Sequence, residues 1–220
     1  MNGVKSWPEP TYFALIDVLK YLRVTKHLGI TYGPNEENAR RNFSYRFGLQ
    51  TKPTPKTKFS QHSLGGVELD SFQVYGFSDA SHGPKPSIGY VMFAAGGPFS
   101  WKASSLSSTP LSTCEGEWMA ASRLAMAIQA VTPLAAFFGV PFRHPVPVYC
   151  DNLAAVMLSE TNLSSRRMRH VLTRLQYLKE RCEADEVILL HVRTDAQIAD
   201  IFTKALHPSL FHTFREQLVR

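Results

Sequence analysis

The sequence predicts an α/β fold, one mixed five-stranded sheet with helices packed on both faces. Three short β-like runs, FQVYGFSDAS, SIGYVMFAAGG and PFSWKAS, follow one another at hairpin distance, separated by Gly, Pro and Ser. After them the chain alternates between helical and strand-like segments. Three strands in sequence followed by helix–strand alternation give three antiparallel strands, with the later ones added in parallel through helical crossovers.

Residues 11–28, TYFALIDVLKYLRVTKHL, carry Leu15, Leu19 and Leu22 at helical spacing, and Gly29 is a stop signal. Residues 1–32 therefore read as an amphipathic helical segment, whose exposed apolar stripe would drive self-association of the isolated chain. Residues 33–69 show neither period and are rich in Pro and Lys, so they read as a loop or linker. The α/β domain spans about residues 70–206 and starts with the three-stranded meander. A helix from about Thr113 to Phe138 comes next, and Pro133 should kink it or end it early. Strand PVPVYCD, a short helix, a basic helix, strand EVILLHVRT and a helix over DAQIADIFTKAL complete the domain. Residues 207–220 add a terminal helix. Trp101 and Trp118 are expected in the core.

At 220 residues and 44% hydrophobic, the chain can bury one sizeable core. A net charge of +6 favours a polyanionic partner such as nucleic acid. Cys114, Cys150 and Cys182 are odd in number and form no C-x-x-C pair, which argues against a disulfide framework or a zinc site and for a reducing compartment. No apolar run approaches a membrane span and the first residues lack a signal peptide's apolar stretch, so no membrane partner and an intracellular location are expected.

Two glutamates stand one residue apart in STCEGEWMA. Ser112 and Glu115 fit a capping box, in which the serine oxygen accepts an N–H of the first turn and the glutamate reaches back. Glu117 falls instead among Ala120, Ala121, Leu124, Ile128 and Val131, in the middle of the apolar stripe. A carboxylate on that face costs several kcal/mol unless a cation or hydrogen-bond network compensates it. Other acids are also unexpectedly placed. Asp79 shares a strand face with Tyr75 and Phe77, and Asp151 closes VPVYCD at the carboxyl end of a strand, where α/β sheets carry functional groups. Asp151 has a second explanation as N-cap of the helix LAAVML. Asp200 lies opposite Ile198, Phe202 and Leu206 and alone would be an exposed residue of a helix that Thr194 and Gln197 start as a capping box. Converging carboxylates repel one another, and Mg²⁺ or Mn²⁺ is the usual compensation. Two such ions assist phosphodiester hydrolysis.

GFSDAS, SIGYVMFAAGGPFSW, LSTCEGEWMAAS, VYCDN and QIADIFTKAL, in this order, resemble the ribonuclease H domain of copia-type retrotransposon Pol polyproteins over residues 70–206. The resemblance implies an RNase H-like fold and metal-dependent hydrolysis of the RNA strand of RNA–DNA hybrids. It also implies Asp79, Glu117, Asp151 and Asp200 as catalytic residues holding two Mg²⁺ ions, with Mn²⁺ as a substitute. Residues 1–32, with VLKYLRVTKHLGITY, are similar to the segment between polymerase and ribonuclease H in that family. An upstream reverse transcriptase domain is thereby an implied partner, and a cytoplasmic virus-like particle or the nucleus an implied location. The chain departs from the family at GPKPSIGYV, at ASSLSS and at RHVLTR, where an acid after His170 is lost. These departures keep open a catalytically inactive nucleic-acid-binding or polymerase-tethering module.

For substrate, Arg166, Arg167 and Arg169 cluster at a helix start, where positive charge opposes the macrodipole unless a phosphate is bound. Lys179 and Arg181, further along, read as a solvated face. Ser81 and Asn152 are small polar groups suited to the 2′-hydroxyls of a hybrid. His191 reads as structural, with product release as the functional alternative.

Overall fold

The structure, a computed structural model, describes residues 9–32, 74–140, 142–160 and 172–220. The expected linker over 33–69 and the arginines Arg166, Arg167 and Arg169 lie outside the described residues.

Five strands, β1 (Tyr75–Ser81), β2 (Ser87–Ala94), β3 (Gly97–Ser105), β4 (Val146–Cys150) and β5 (Val187–His191), form one sheet in the order β3-β2-β1-β4-β5. The β1–β2 and β2–β3 pairs are antiparallel, and β1–β4 and β4–β5 are parallel. This is the mixed sheet expected from the sequence. Between β2 and β3 the chain reverses through Ala95 and Gly96, both at positive φ (49° and 76°), the backbone of a tight hairpin turn that glycine tolerates without strain.

Helix α1 is Glu9–Thr25, α2 Thr113–Phe137, α3 Leu153–Glu160, α4 Leu172–Glu183 and α5 Pro208–Leu218. Alternation along the strands sends two sets of side chains to opposite faces. Val74, Met92, Val146, Val148, Cys150, Val187 and Leu189 pack with Trp118, Leu124 and Ile128 of α2, Ala155 of α3 and Leu178 of α4. On the other face Phe77, Val91, Phe93 and Tyr149 pack with Ile198, Ala199 and Phe214 of the C-terminal segment. α2 is long and apolar enough in composition to cross a membrane, and its burial against the sheet supplies another reason for that apolarity.

Several expectations fail, each for a physical reason. Trp118 is fully buried, but Trp101 is 52% exposed, because it lies on the edge strand β3 in the stretch Trp101–Ala103 that is open to solvent. Of the two outcomes expected at Pro133, an early end does not occur, since α2 runs on to Phe137 with Phe138 as its C-cap, close to the expected end. DAQIADIFTKAL forms no α-helix: two 3₁₀ turns, Thr194–Ala196 and Ile198–Phe202, carry the chain across the sheet. The expected Thr194–Gln197 capping box is absent, since the first turn has no side-chain cap; Gln197, fully buried, donates instead from its side-chain amide to the Ser78 carbonyl at 3.0 Å. Lys179 and Arg181 are not a freely solvated face either. Arg181 pairs with Glu186 at 3.1 Å, and the side chains of Lys179 and Arg181 are both largely covered.

In α1, Leu15, Leu19 and Leu22 are exposed. The segment after α1 is tied to the domain: Gly29 and Arg220 exchange backbone hydrogen bonds (2.8 and 2.9 Å), and the Tyr32 hydroxyl donates to the Pro98 carbonyl at 2.7 Å.

Candidate metal centre

The site forms where the parallel pair β1–β4 ends. Phe77 pairs with Tyr149 in register, so two residues further along each chain Asp79 and Asp151 come side by side on the same face. Asp79 is wholly buried, whereas Asp151 sits just past β4 at the rim. The 3₁₀ turn Ile198–Phe202 crosses that face and brings in Asp200, which is 3% exposed and not on the outer surface where a helical wheel places it. A 3₁₀ turn has a three-residue period, which rotates side chains away from the positions a 3.6-residue wheel assigns.

Glu117 arrives from the opposite face. The two glutamates of α2 separate as expected: the Ser112 hydroxyl accepts the Glu115 N–H at 3.1 Å, and Glu115 reaches back to the Leu111 N–H at 2.6 Å, one residue beyond the cap. Glu117, 5% exposed, accepts from the Ala80 N–H at 3.3 Å and from the Cys150 thiol at 3.6 Å. Its helix leans over the end of β1, where Gly116 lets the His82 ring approach.

Ligand atoms of Asp79, Asp151 and Asp200 all lie within 4.8 Å of one another, as do those of Glu117, Cys150 and Asp151. Asp151 is common to both groups. Such crowding shows in the titration of the acids. Burial, then the neighbouring charges of Asp79 and Asp151, push Glu117 up to about 9. Asp200 is pushed up to about 7 by burial and then by Asp79. Burial, and then the charge of Glu117, also raises the Cys150 thiol far above its ordinary range, which disfavours the thiolate form that binds soft metals. What remains is a set of four hard carboxylates, suited to Mg²⁺ or Mn²⁺. The donor set therefore fits the implied ions.

Sequence reasoning missed two members of the site, Lys204 and Thr203. The Lys204 ammonium pairs with Asp200 at 2.9 Å and Asp79 at 3.1 Å, and the Thr203 hydroxyl donates to Asp79. Burial pulls the Lys204 pKa down, but the two carboxylates more than offset this and leave it above its ordinary value. Lys204 lies four residues after Asp200, a separation that would have flagged the ion pair.

Of the residues expected at substrate, Ser81 ends β1 with its hydroxyl bonded to that of Ser87 at 2.7 Å. Asn152, rather than Asp151, caps α3: its side-chain oxygen accepts the Ala155 N–H at 3.1 Å. Asp151 is thus left to the carboxylate group. His191, at the end of β5, is exposed.

No family model matches the chain. The Retrovirus-related Pol polyprotein from transposon RE2 of Arabidopsis thaliana is 25% identical over 130 residues, 59% of this chain and 9% of that protein. The corresponding polyprotein from transposon RE1 of the same plant is 23% identical over 225 residues, 99% of this chain and 15% of that one. The polyprotein from transposon TNT 1-94 of Nicotiana tabacum is 27% identical over 132 residues, covering 60% and 10%. The chain thus spans less than a sixth of the length of these relatives. Among solved structures, LC11-RNase H1 in complex with RNA/DNA hybrid aligns with 14% identity and a TM-score of 0.43, covering 60% of this chain and 94% of that one. RNase H1 from the halophilic archaeon Halobacterium salinarum aligns with 17% identity and a TM-score of 0.42, covering 60% and 94%. Overlap this loose leaves the fold to be read from the chain's own strand order. The chain is thus similar, at 23–27% identity, to part of the retrovirus-related Pol polyproteins of these plant transposons, and its described residues form a mixed five-stranded sheet in the order β3-β2-β1-β4-β5.

Proposed function

We propose that the protein is a divalent-metal-dependent ribonuclease H, hydrolysing the RNA strand of RNA–DNA hybrids. The observation that carries this reading is the meeting of Asp79, Glu117, Asp151 and Asp200, from four separated stretches of chain, at one end of the sheet. Relatives that are retrotransposon Pol polyproteins support it.

Asp79, Asp151 and Asp200 would hold one Mg²⁺ ion, and Glu117 with Asp151 a second. When bound, the ions supply Lewis-acid activation of water and charge compensation for the leaving oxygen. Asp79 and Asp151 form the centre, because each lies two residues beyond the register pair Phe77–Tyr149 of β1 and β4. Glu117, held by the Ala80 N–H, orients the attacking water from the α2 side. Ser81 and Asn152 flank the carboxylates and would meet the sugar edges of a hybrid, while Arg166, Arg167 and Arg169 would neutralise its phosphates. An upstream reverse transcriptase domain of the same polyprotein is the proposed partner for the exposed α1. A reducing, intracellular setting is proposed with it.

The Lys204 ion pairs favour a second reading, in which the carboxylates are neutralised from within and the domain binds hybrids without cutting them. One assay separates the two. The full chain is incubated with an end-labelled hybrid in Mg²⁺ or in EDTA, beside Glu117→Gln. Cutting of RNA only, dependent on Mg²⁺ and lost in the variant, supports the nuclease. Tight binding without cutting supports the module and sinks the nuclease.

A further inference from the structure

The two faces of the carboxylate cluster differ in one respect. Ion pairs link Lys204 to Asp79 and Asp200, and to neither Glu117 nor Asp151. Lys204 follows directly on the 3₁₀ turn that carries Asp200, its backbone N–H donating to the Asp200 carbonyl at 2.9 Å. The preceding residue, Thr203, is hydrogen-bonded through its hydroxyl to Asp79. This anchorage holds the root of the side chain against the carboxylates, so the ammonium's local concentration there is high whatever the solution contains. The cation is nevertheless not sealed in. The Lys204 side chain is 37% exposed, against 0% and 4% for Asp79 and Asp200. A flexible four-carbon stem with one end at the surface can swing its head into water.

Resting on the metal-site reading above, we propose that Lys204 is a built-in competitor for one of two cation positions. Its ammonium occupies the Asp79–Asp200 side and must be displaced before a divalent ion binds there, whereas the Glu117–Asp151 side fills first. A monovalent ammonium makes a good placeholder: it relieves repulsion between two buried carboxylates, yet a doubly charged ion has the stronger Coulomb attraction to them. Ordered filling follows, with the second ion entering only when its concentration overcomes the tethered amine.

The test is a titration of the full chain with Mn²⁺ alone, without nucleic acid, following free Mn²⁺ by electron paramagnetic resonance. The native chain should bind one ion tightly and a second more weakly. Lys204→Met should tighten the weaker site by at least about tenfold and leave the tighter one within about threefold, since one repelling unit charge is removed from one side only. Lys204→Arg, which keeps the charge, should leave the weaker site weak. If Lys204→Met leaves the weaker constant unchanged, or weakens it, the proposal is wrong while the metal site stands. If neither chain binds Mn²⁺, the metal-site reading fails and takes the proposal with it. Should Lys204→Met be unfolded without cations, circular dichroism during the same titration decides the matter: recovery of the folded signal supports the proposal, and no recovery overturns it.

Discussion

Asp79 on β1 and Asp151 just past the end of β4 each lie two residues beyond one member of the stacked Phe77–Tyr149 pair, whose ring centroids lie 5.1 Å apart. The parallel register of Phe77 with Tyr149, whose rings stack, brings the two carboxylates side by side where the strands end. A sheet register thereby imposes a like-charge contact that an unfolded chain avoids. Glu117 and Asp200 then approach from opposite faces of the sheet and add to the repulsion.

The two glutamates of α2 should respond oppositely to the same substitution. Glu115→Gln loses part of a cap interaction and should cost at most about 1 kcal/mol of stability with cleavage largely retained. Glu117→Gln replaces a buried carboxyl that the metal-free fold holds protonated against its crowded neighbours, and should abolish Mg²⁺-dependent cleavage while leaving the metal-free protein as stable or more so. Thermal melting and hybrid cleavage on both variants check this; equal inactivation would mean that their roles are misassigned.

Stability of the metal-free protein should fall with rising pH. The folded-state values of Asp200 (about 7) and Glu117 (about 9) lie above those of an unfolded chain, about 4 for both. Below about pH 4 the acids are protonated in both states and their contribution is intact. As pH rises through the raised values, the unfolded chain has already released protons that the folded one retains, and stability is lost. Melting curves in EDTA between about pH 5 and 9 should show this decline, with Glu117→Gln flattening its upper part and saturating Mg²⁺ offsetting it. A rise in stability over that window would contradict the assigned crowding.

Gly89 pairs with Asp79 across β1–β2, and a Cβ there would stand 2.7 Å from the Phe202 Cβ and 2.9 Å from the Thr203 Cγ2. Gly89→Ala should therefore push the 3₁₀ turn off the sheet, costing about 1–3 kcal/mol and loosening Asp200, Thr203 and Lys204 together. The expected readout is weaker Mn²⁺ binding along with a lower melting temperature. Unchanged binding would show that the turn can shift without disturbing its carboxylate.

At the end of β4 the expectation divides between neighbours. Asn152→Ala should cost about 1 kcal/mol by removing the α3 cap. Asp151→Asn should leave the fold intact and weaken binding of both ions, because Asp151 belongs to both ligand groups. Paired melting and Mn²⁺ titration of the two variants test the division; equal effects on metal binding would place Asn152 in the site.

The sequence alone specified the sheet, because strand alternation, hairpin punctuation and the long helix between Thr113 and Phe137 are local signals that survive without tertiary context. It also separated Glu115 from Glu117, since capping geometry and a helical wheel act within a few residues, and the structure agrees on both. Tertiary structure decided what happens after Arg193. There the wheel took an α-helix for granted and put Asp200 on the outside, whereas Gln197 bonds the Ser78 backbone and the segment tightens into 3₁₀ turns that bury Asp200. It likewise chose Asn152 over Asp151 as the cap and placed Lys204 between two acids, one of them 125 residues away in sequence. Such pairings depend on how faces meet once the sheet has formed. No window of adjacent residues contains that information.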